Sequence, residues 1–143
     1  MPYRYLPDIA IADVAFEAWA DTPEELFVAA AEATMNVMVG DLSAIAGCEE
    51  RAIRAVEAEL DMLLFQLLQE LIFFKDAEKL LLRIKEIGIR RLEKGFALEA
   101  RACGETLDPS RHDLVVDVKA VTLHRFRVEQ TAQGWQATVI LDI

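Results

Sequence analysis

The stretch Met62 to Phe74, MLLFQLLQELIFF, constrains the fold of this chain more than any other. All but three of its thirteen residues are apolar. A bilayer crossing takes about 20 such residues, so the stretch predicts a buried helix and not a membrane anchor. The three polar residues are Gln66, Gln69 and Glu70. At helical spacing they fall at i, i+3 and i+4 and form one narrow edge. A helix that is apolar on nearly every other side belongs at the centre of a domain. Asp61 is the expected cap, and the helix is predicted over 62–75.

The other elements are read around that centre. Ile11 to Ala20 alternates: Val14, Phe16 and Ala18 against Asp13, Ala15, Glu17 and Trp19, which predicts a half-buried strand. Thr22-Pro23-Glu24-Glu25 then opens a helix, with Thr22 as cap, Pro23 in the first turn and Glu25 able to complete a capping box. Leu26, Ala30, Ala33 and Val37 carry its apolar face, and Gly40 is the expected stop. Arg51 to Leu60 follows neither period cleanly and is read as a strand. Leu80 to Ile89 and Arg90 to Cys103 read as charged strands, Gly104 to His112 as a loop, and Val115 to Val121 as a short strand. The last thirty residues predict a hairpin: His124, Phe126 and Val128 alternate with Arg125, Arg127 and Glu129, Gln133-Gly134 turns the chain, and Trp135, Ala137, Val139, Leu141 and Ile143 share a face. Strands gathered after two helices predict an α+β fold, a mostly antiparallel sheet with two main helices packed on one face. No linker, repeat or low-complexity segment divides the 143 residues, so a single domain, 1–143, is expected.

Charge narrows the function. Twenty-five acidic residues against fifteen basic ones give a net charge of −10 and a pI near 4.6. A chain of that charge does not grip a phosphate backbone unaided, since that takes Lys and Arg to displace counterions. Solubility is the plainest consequence, and a basic protein partner or hard metal ions are the sharper ones. Cys48 and Cys103 are too few for a disulfide framework or a cysteine-rich zinc site and read as reduced thiols in a cytoplasmic protein.

Enzyme signatures are sparse. The chain has no Gly-rich nucleotide loop, and its two serines, Ser43 and Ser110, lack a nucleophile-elbow frame. His112 and His124 have no evident local partner. Arg125-Phe126-Arg127 reads as a solvated face, and Trp19 and Trp135 as core or sheet-covering residues. The carboxylates remain. Asp13 sits in an otherwise apolar strand and Asp142 beside the final residue, Ile143. Were the first and last strands to meet, these oxygens would make a hard-ligand cluster for Ca²⁺, Mg²⁺ or Mn²⁺. Spacing alone leaves them unconnected.

Several stretches carry a family resemblance over nearly the whole length. They are Ala12-Asp13-Val14-Ala15-Phe16-Glu17-Ala18-Trp19, Thr22-Pro23-Glu24-Glu25-Leu26-Phe27 with Ala29-Ala30, and the apolar helix with Leu63-Leu64, Leu67-Leu68 and Glu70-Leu71. Gly104-Glu105, Asp108-Pro109, Arg111-His112 and Val118 to His124 follow in order, then Gly134-Trp135 and Leu141-Asp142-Ile143. In that order the chain resembles the archease family, small acidic accessory proteins of the RtcB-type RNA ligase in tRNA splicing. The resemblance implies an Hsp33-like α+β domain with a divalent-metal site, calcium being the ion associated with the family. It implies that Asp13, Asp142 and Ile143 fall on the metal-binding positions. One departure stands out: the family's His-Thr before its Ala-Asp is missing from Pro7-Asp8-Ile9-Ala10-Ile11-Ala12-Asp13, where Asp8 reads as a turn residue or as a substitute carboxylate.

The function so implied is non-enzymatic: activation of the ligase by promoting its guanylylation and multiple turnover, with RNA contacted only through the ligase and no membrane. Two other classes stay open, a general chaperone that binds exposed segments of other proteins and a small metal-dependent hydrolase.

Overall fold

The computed structural model describes residues 2–7 and 13–143, so Asp8, Ile11 and Ala12 lie outside the described residues. Among the described residues seven strands and two helices follow in the order β1 (Tyr3–Tyr5), β2 (Asp13–Ala20), α1 (Pro23–Met38), β3 (Glu49–Glu57), α2 (Leu60–Glu78), β4 (Leu80–Leu92), β5 (Gly95–Thr106), β6 (Ala120–Thr131) and β7 (Gly134–Asp142). A short 3₁₀ turn, Leu42–Ala44, leads into β3. The α+β expectation holds, with all strand pairs antiparallel. The strands divide into two sheets, however, ordered β1-β2-β7-β6 and β3-β5-β4. Each sheet has one apolar face, and the two helices lie against both of them.

The central helix is as apolar as its sequence requires. Leu63, Leu64, Leu67, Leu68, Leu71 and Ile72 are all buried. The helix begins earlier than expected, at Leu60. Glu59 stands at the cap without a side-chain hydrogen bond, while Asp61 Oδ1 accepts only the neighbouring Met62 amide. It ends later, at Glu78, where Lys79 takes a left-handed conformation (φ 57°). The polar edge is also put to use: Gln69 Oε1 accepts the Val121 amide at 3.0 Å and ties α2 to β6. Buried Lys75 bonds Asp117 and the Val118 carbonyl. Burial opposes its charge, and the bonds to Asp117 and Asp76 outweigh that and raise its pKa.

The first helix starts where its cap predicts. The Glu25 amide donates to Thr22 Oγ1 at 3.2 Å, and the Thr22 hydroxyl donates to Glu25. Val39 closes it, and the Gly40 amide bonds the Asp113 carbonyl.

Three strand readings need correction. The break expected between Ile89 and Arg90 falls at Glu93-Lys94, because Arg90 to Leu92 still pair in β4 with Ala97 to Gly95 of β5. Gly104 to Thr106 belongs to β5 rather than a loop, because these residues still pair with Leu80 to Leu82 of β4. Val115 to Lys119 form no strand; the segment bonds the end of α1 through the Val115 amide and the Met38 carbonyl, and pairing starts only at Ala120. The terminal hairpin forms as expected, but β6 is interrupted. Thr122 pairs with Ile140 and Arg127 with Thr138, so Leu123 to Phe126 stand against Val139 alone. This irregular bulge carries Arg125 at φ 56° and breaks the alternation expected from His124 to Glu129.

Candidate functional site

The pairing of β2 with β7 decides the relation between the first and last strands. Asp13 lies opposite Asp142 in the register, and Ala120 of β6 lies opposite Asp142 on its other side. Residues opposite one another in an antiparallel pair have Cβ atoms about 5 Å apart on the same face. The two carboxylates therefore leave the sheet side by side. Asp142 is exposed and Asp13 half-buried, and Ile143 follows at the end of the chain. Lys119 donates its amide to the Asp142 carbonyl at 2.8 Å and holds the end of β7 in place.

The next pair along, Ala15 and Ile140, is on the same face and buried. The carboxylate pair thus borders a dry patch on one side and solvent on the other. Among the described residues neither aspartate makes an ion pair. Like charges directly opposite on a sheet are destabilising, so a bound cation is the natural relief. Among the described residues no three His, Cys, Asp or Glu side chains cluster as a complete metal cage. Two side-chain carboxylates placed side by side present oxygen donors of the kind that could hold a hard cation.

A second polar cluster was not foreseen. His112, read from sequence as lacking a partner, is buried with its Nε2 at 2.8 Å from Glu105 Oε1. Its Nδ1 accepts the Asp108 amide at 2.9 Å, which places the ring proton on Nε2, facing Glu105. The same Glu105 oxygen accepts from the Ala46 amide and from Arg111, each at 3.0 Å. The Ala46 amide, then His112, hold the Glu105 pKa below the usual carboxylate value. Asp108 is lowered in turn by the Ser110 hydroxyl and amide. This knot fastens the segment after β5 to the entry of β3. Its sequence signal was Glu105 seven residues before His112, too wide a spacing for a local reading.

The remaining candidates separate. His124, Arg125 and Arg127 are exposed, as a solvated face requires. Trp135 is half-buried, whereas Trp19 is 43% exposed and lines a groove rather than the core. Cys48 and Cys103 are free thiols. Among the described residues no helix is long and apolar enough to cross a membrane.

Residues 3–143 match the model of the Archease protein family (MTH1598/TM1083). Protein archease of Pyrococcus abyssi is 38% identical over 136 residues, covering 92% of this chain and 93% of its own. Protein archease of Methanopyrus kandleri is 38% identical over 132 residues, covering 92% and 94%. The solution structure of Methanobacterium thermoautotrophicum protein 1598 superposes with a TM-score of 0.85 at 31% identity, covering 99% of both chains. A Thermotoga maritima archease, described as a possible chaperone, shares the fold at a TM-score of 0.58 and 19% identity, covering 94% of this chain and 93% of its own. With the family pattern running from Tyr3 to the last residue, this chain belongs to the archease family.

Proposed function

We propose that this protein is an accessory factor for an RtcB-type RNA ligase in tRNA splicing, acting on the ligase rather than catalysing a reaction itself. The observation that carries the reading is the pairing of Asp13 with Asp142 in a chain of the archease family. A ligase that binds RNA and a nucleotide presents a basic surface, and a domain of net charge −10 is drawn to it. Complementary charge of this kind mainly raises the association rate.

Asp13 and Asp142, with Ile143 beside them, would hold a hard divalent cation, Ca²⁺ first and Mg²⁺ or Mn²⁺ as alternatives. Such an ion supplies a compact positive charge with coordination positions left open to a partner's oxygens. The chain's own part is positional. The β2–β7 pairing sets the spacing of the two carboxylates, the Lys119 amide holds the Asp142 backbone, and the dry Ala15–Ile140 pair shields one side from water. The proposed role is to promote guanylylation and turnover of the ligase in the cytoplasm, with RNA contacted only through the ligase.

The test is multiple-turnover RNA ligation by the cognate ligase with GTP and limiting Mn²⁺, with and without this protein. Stimulation by substoichiometric protein, lost in Asp13→Ala, supports the reading. Equal turnover with and without the protein overturns it. The competing chaperone reading draws on the description of the Thermotoga maritima relative. It predicts protection of unrelated aggregating proteins, unaffected by Asp13→Ala.

A further inference from the structure

At the opposite end of β2 from Asp13 lies a groove of about 750 Å³ between α1, β1 and β4. Asp13 and Trp19 share a face of β2 six residues apart, which separates the two sites by about 20 Å. Strands β1 and β4 are edge strands of their respective sheets, so the groove runs where the two sheets part over α1. Its apolar lining comes from Tyr3, Trp19, Val28, Ala29, Leu42 and Ile87. Trp19, 43% exposed, is among the larger apolar side chains that the fold leaves open to solvent.

The rim is acidic. Asp21, Glu24, Glu25 and Glu32 border it against a single cation, Arg83. That cation is already committed: Arg83 bonds both carboxylate oxygens of Glu32 and reaches the Leu42 carbonyl at 3.4 Å. Asp21 and Glu24 have no ion-pair partner among the described residues, and Glu25 bonds only the cap Thr22. The balance left at the rim is negative, beside an aromatic and aliphatic floor. A Lys or Arg neighbouring a large apolar side chain satisfies both features, the cation at the rim and the apolar group against Trp19 and Val28.

We infer that this groove docks a short basic-apolar segment of a protein partner. The inference rests on the reading that this chain acts on another protein, and it names the chemistry of the contact. The carboxylate pair and the groove then have separate tasks, one toward a metal and one toward the partner's chain.

The direct probe is a short synthetic peptide alternating Lys with Phe and Ile, titrated into the full-length ¹⁵N-labelled protein. Two controls replace every Lys by Glu or every apolar residue by Ser. The expected result is a set of shifts centred on Trp19, Val28, Ala29 and Ile87, with at least about tenfold weaker binding of each control, a difference of one decade in Kd. Val28→Arg and the double variant Asp21→Lys/Glu24→Lys, both checked for wild-type melting, should lower peptide affinity to the level of the controls. Equal binding of the controls, or shifts elsewhere on the surface, overturns the inference.

The ligation assay separates this inference from the reading beneath it. Wild-type stimulation that both groove variants keep in full overturns the groove and leaves the accessory role standing. No wild-type stimulation sinks the accessory role, and the peptide titration alone then decides the groove. Stimulation that the groove variants lose while still binding Ca²⁺ as wild type supports both.

Discussion

Asp13 and Asp142 stand opposite each other on adjacent antiparallel strands, although 128 residues of chain separate them. Two carboxylates in that relation repel when no cation lies between them. Asp13→Asn and Asp142→Asn should therefore be at least as stable as the wild type in chelator, by up to about 1 kcal/mol. Addition of Ca²⁺ should raise the wild-type melting temperature and leave both variants unmoved, since only a ligand that binds the native state stabilises it. Calorimetry with and without Ca²⁺ checks this; an equal calcium shift in wild type and variants would remove the carboxylate pair from any metal site.

The core centre is testable without reference to function. Leu67 and Leu68 are fully buried in α2 between the two sheets. Replacing either with Ala should cost about 2–5 kcal/mol, the lost transfer free energy together with the cavity left behind. Urea denaturation should show the midpoint fall at an unchanged slope. An unmoved midpoint would mean that α2 is not the centre of the fold.

Gly104 marks a close approach of two strands. A Cβ built there would lie 1.7 Å from the Leu81 carbonyl oxygen, a backbone atom that cannot swing aside. Gly104→Ala should destabilise by about 3 kcal/mol or more, above the common range for overpacking because strand β4 itself must shift. A soluble variant with wild-type melting would show that β4 and β5 have room to part.

Acid should loosen the segment after β5. Hydrogen bonds hold the Glu105 and Asp108 carboxyls below their ordinary pKa values of 4.5 and 3.8 in the folded protein. A depressed carboxylate contributes stability that is present above its unfolded pKa and lost as pH falls through its folded pKa. Melting temperature should thus hold from neutral pH down to about 4.5 and decline below it. Glu105→Gln should start lower at neutral pH, having lost its charge-assisted bonds, and decline less steeply in acid. Parallel curves for the two proteins would show that Glu105 is no source of the pH dependence.

Much of the fold is legible from local pattern. The α2 core face, the Thr22 cap, the β2 alternation and the terminal hairpin all follow from periodicity and capping within a few residues. Element ends were less legible. Gly104 looked like a loop residue because glycine commonly marks a turn, yet it is a strand residue where backbones crowd. The bulge at Leu123 to Phe126 was invisible because the alternation of His124, Phe126 and Val128 is also that of a regular strand. The Glu105–His112 pair went unseen because its partners meet only through the fold of the intervening loop.

By itself, then, the sequence determined a buried central helix, an α+β class, an acidic surface and two candidate carboxylates near opposite ends of the chain. Tertiary structure decided that the strands form two sheets, that β7 inserts beside β2, and that a groove with an acidic rim opens between the sheet edges. The physical reason is range. Helix and strand periods arise from contacts between near neighbours and are written along the chain. Which strand lies beside which depends on how the apolar faces of both sheets close over α1 and α2, and no single segment carries that information.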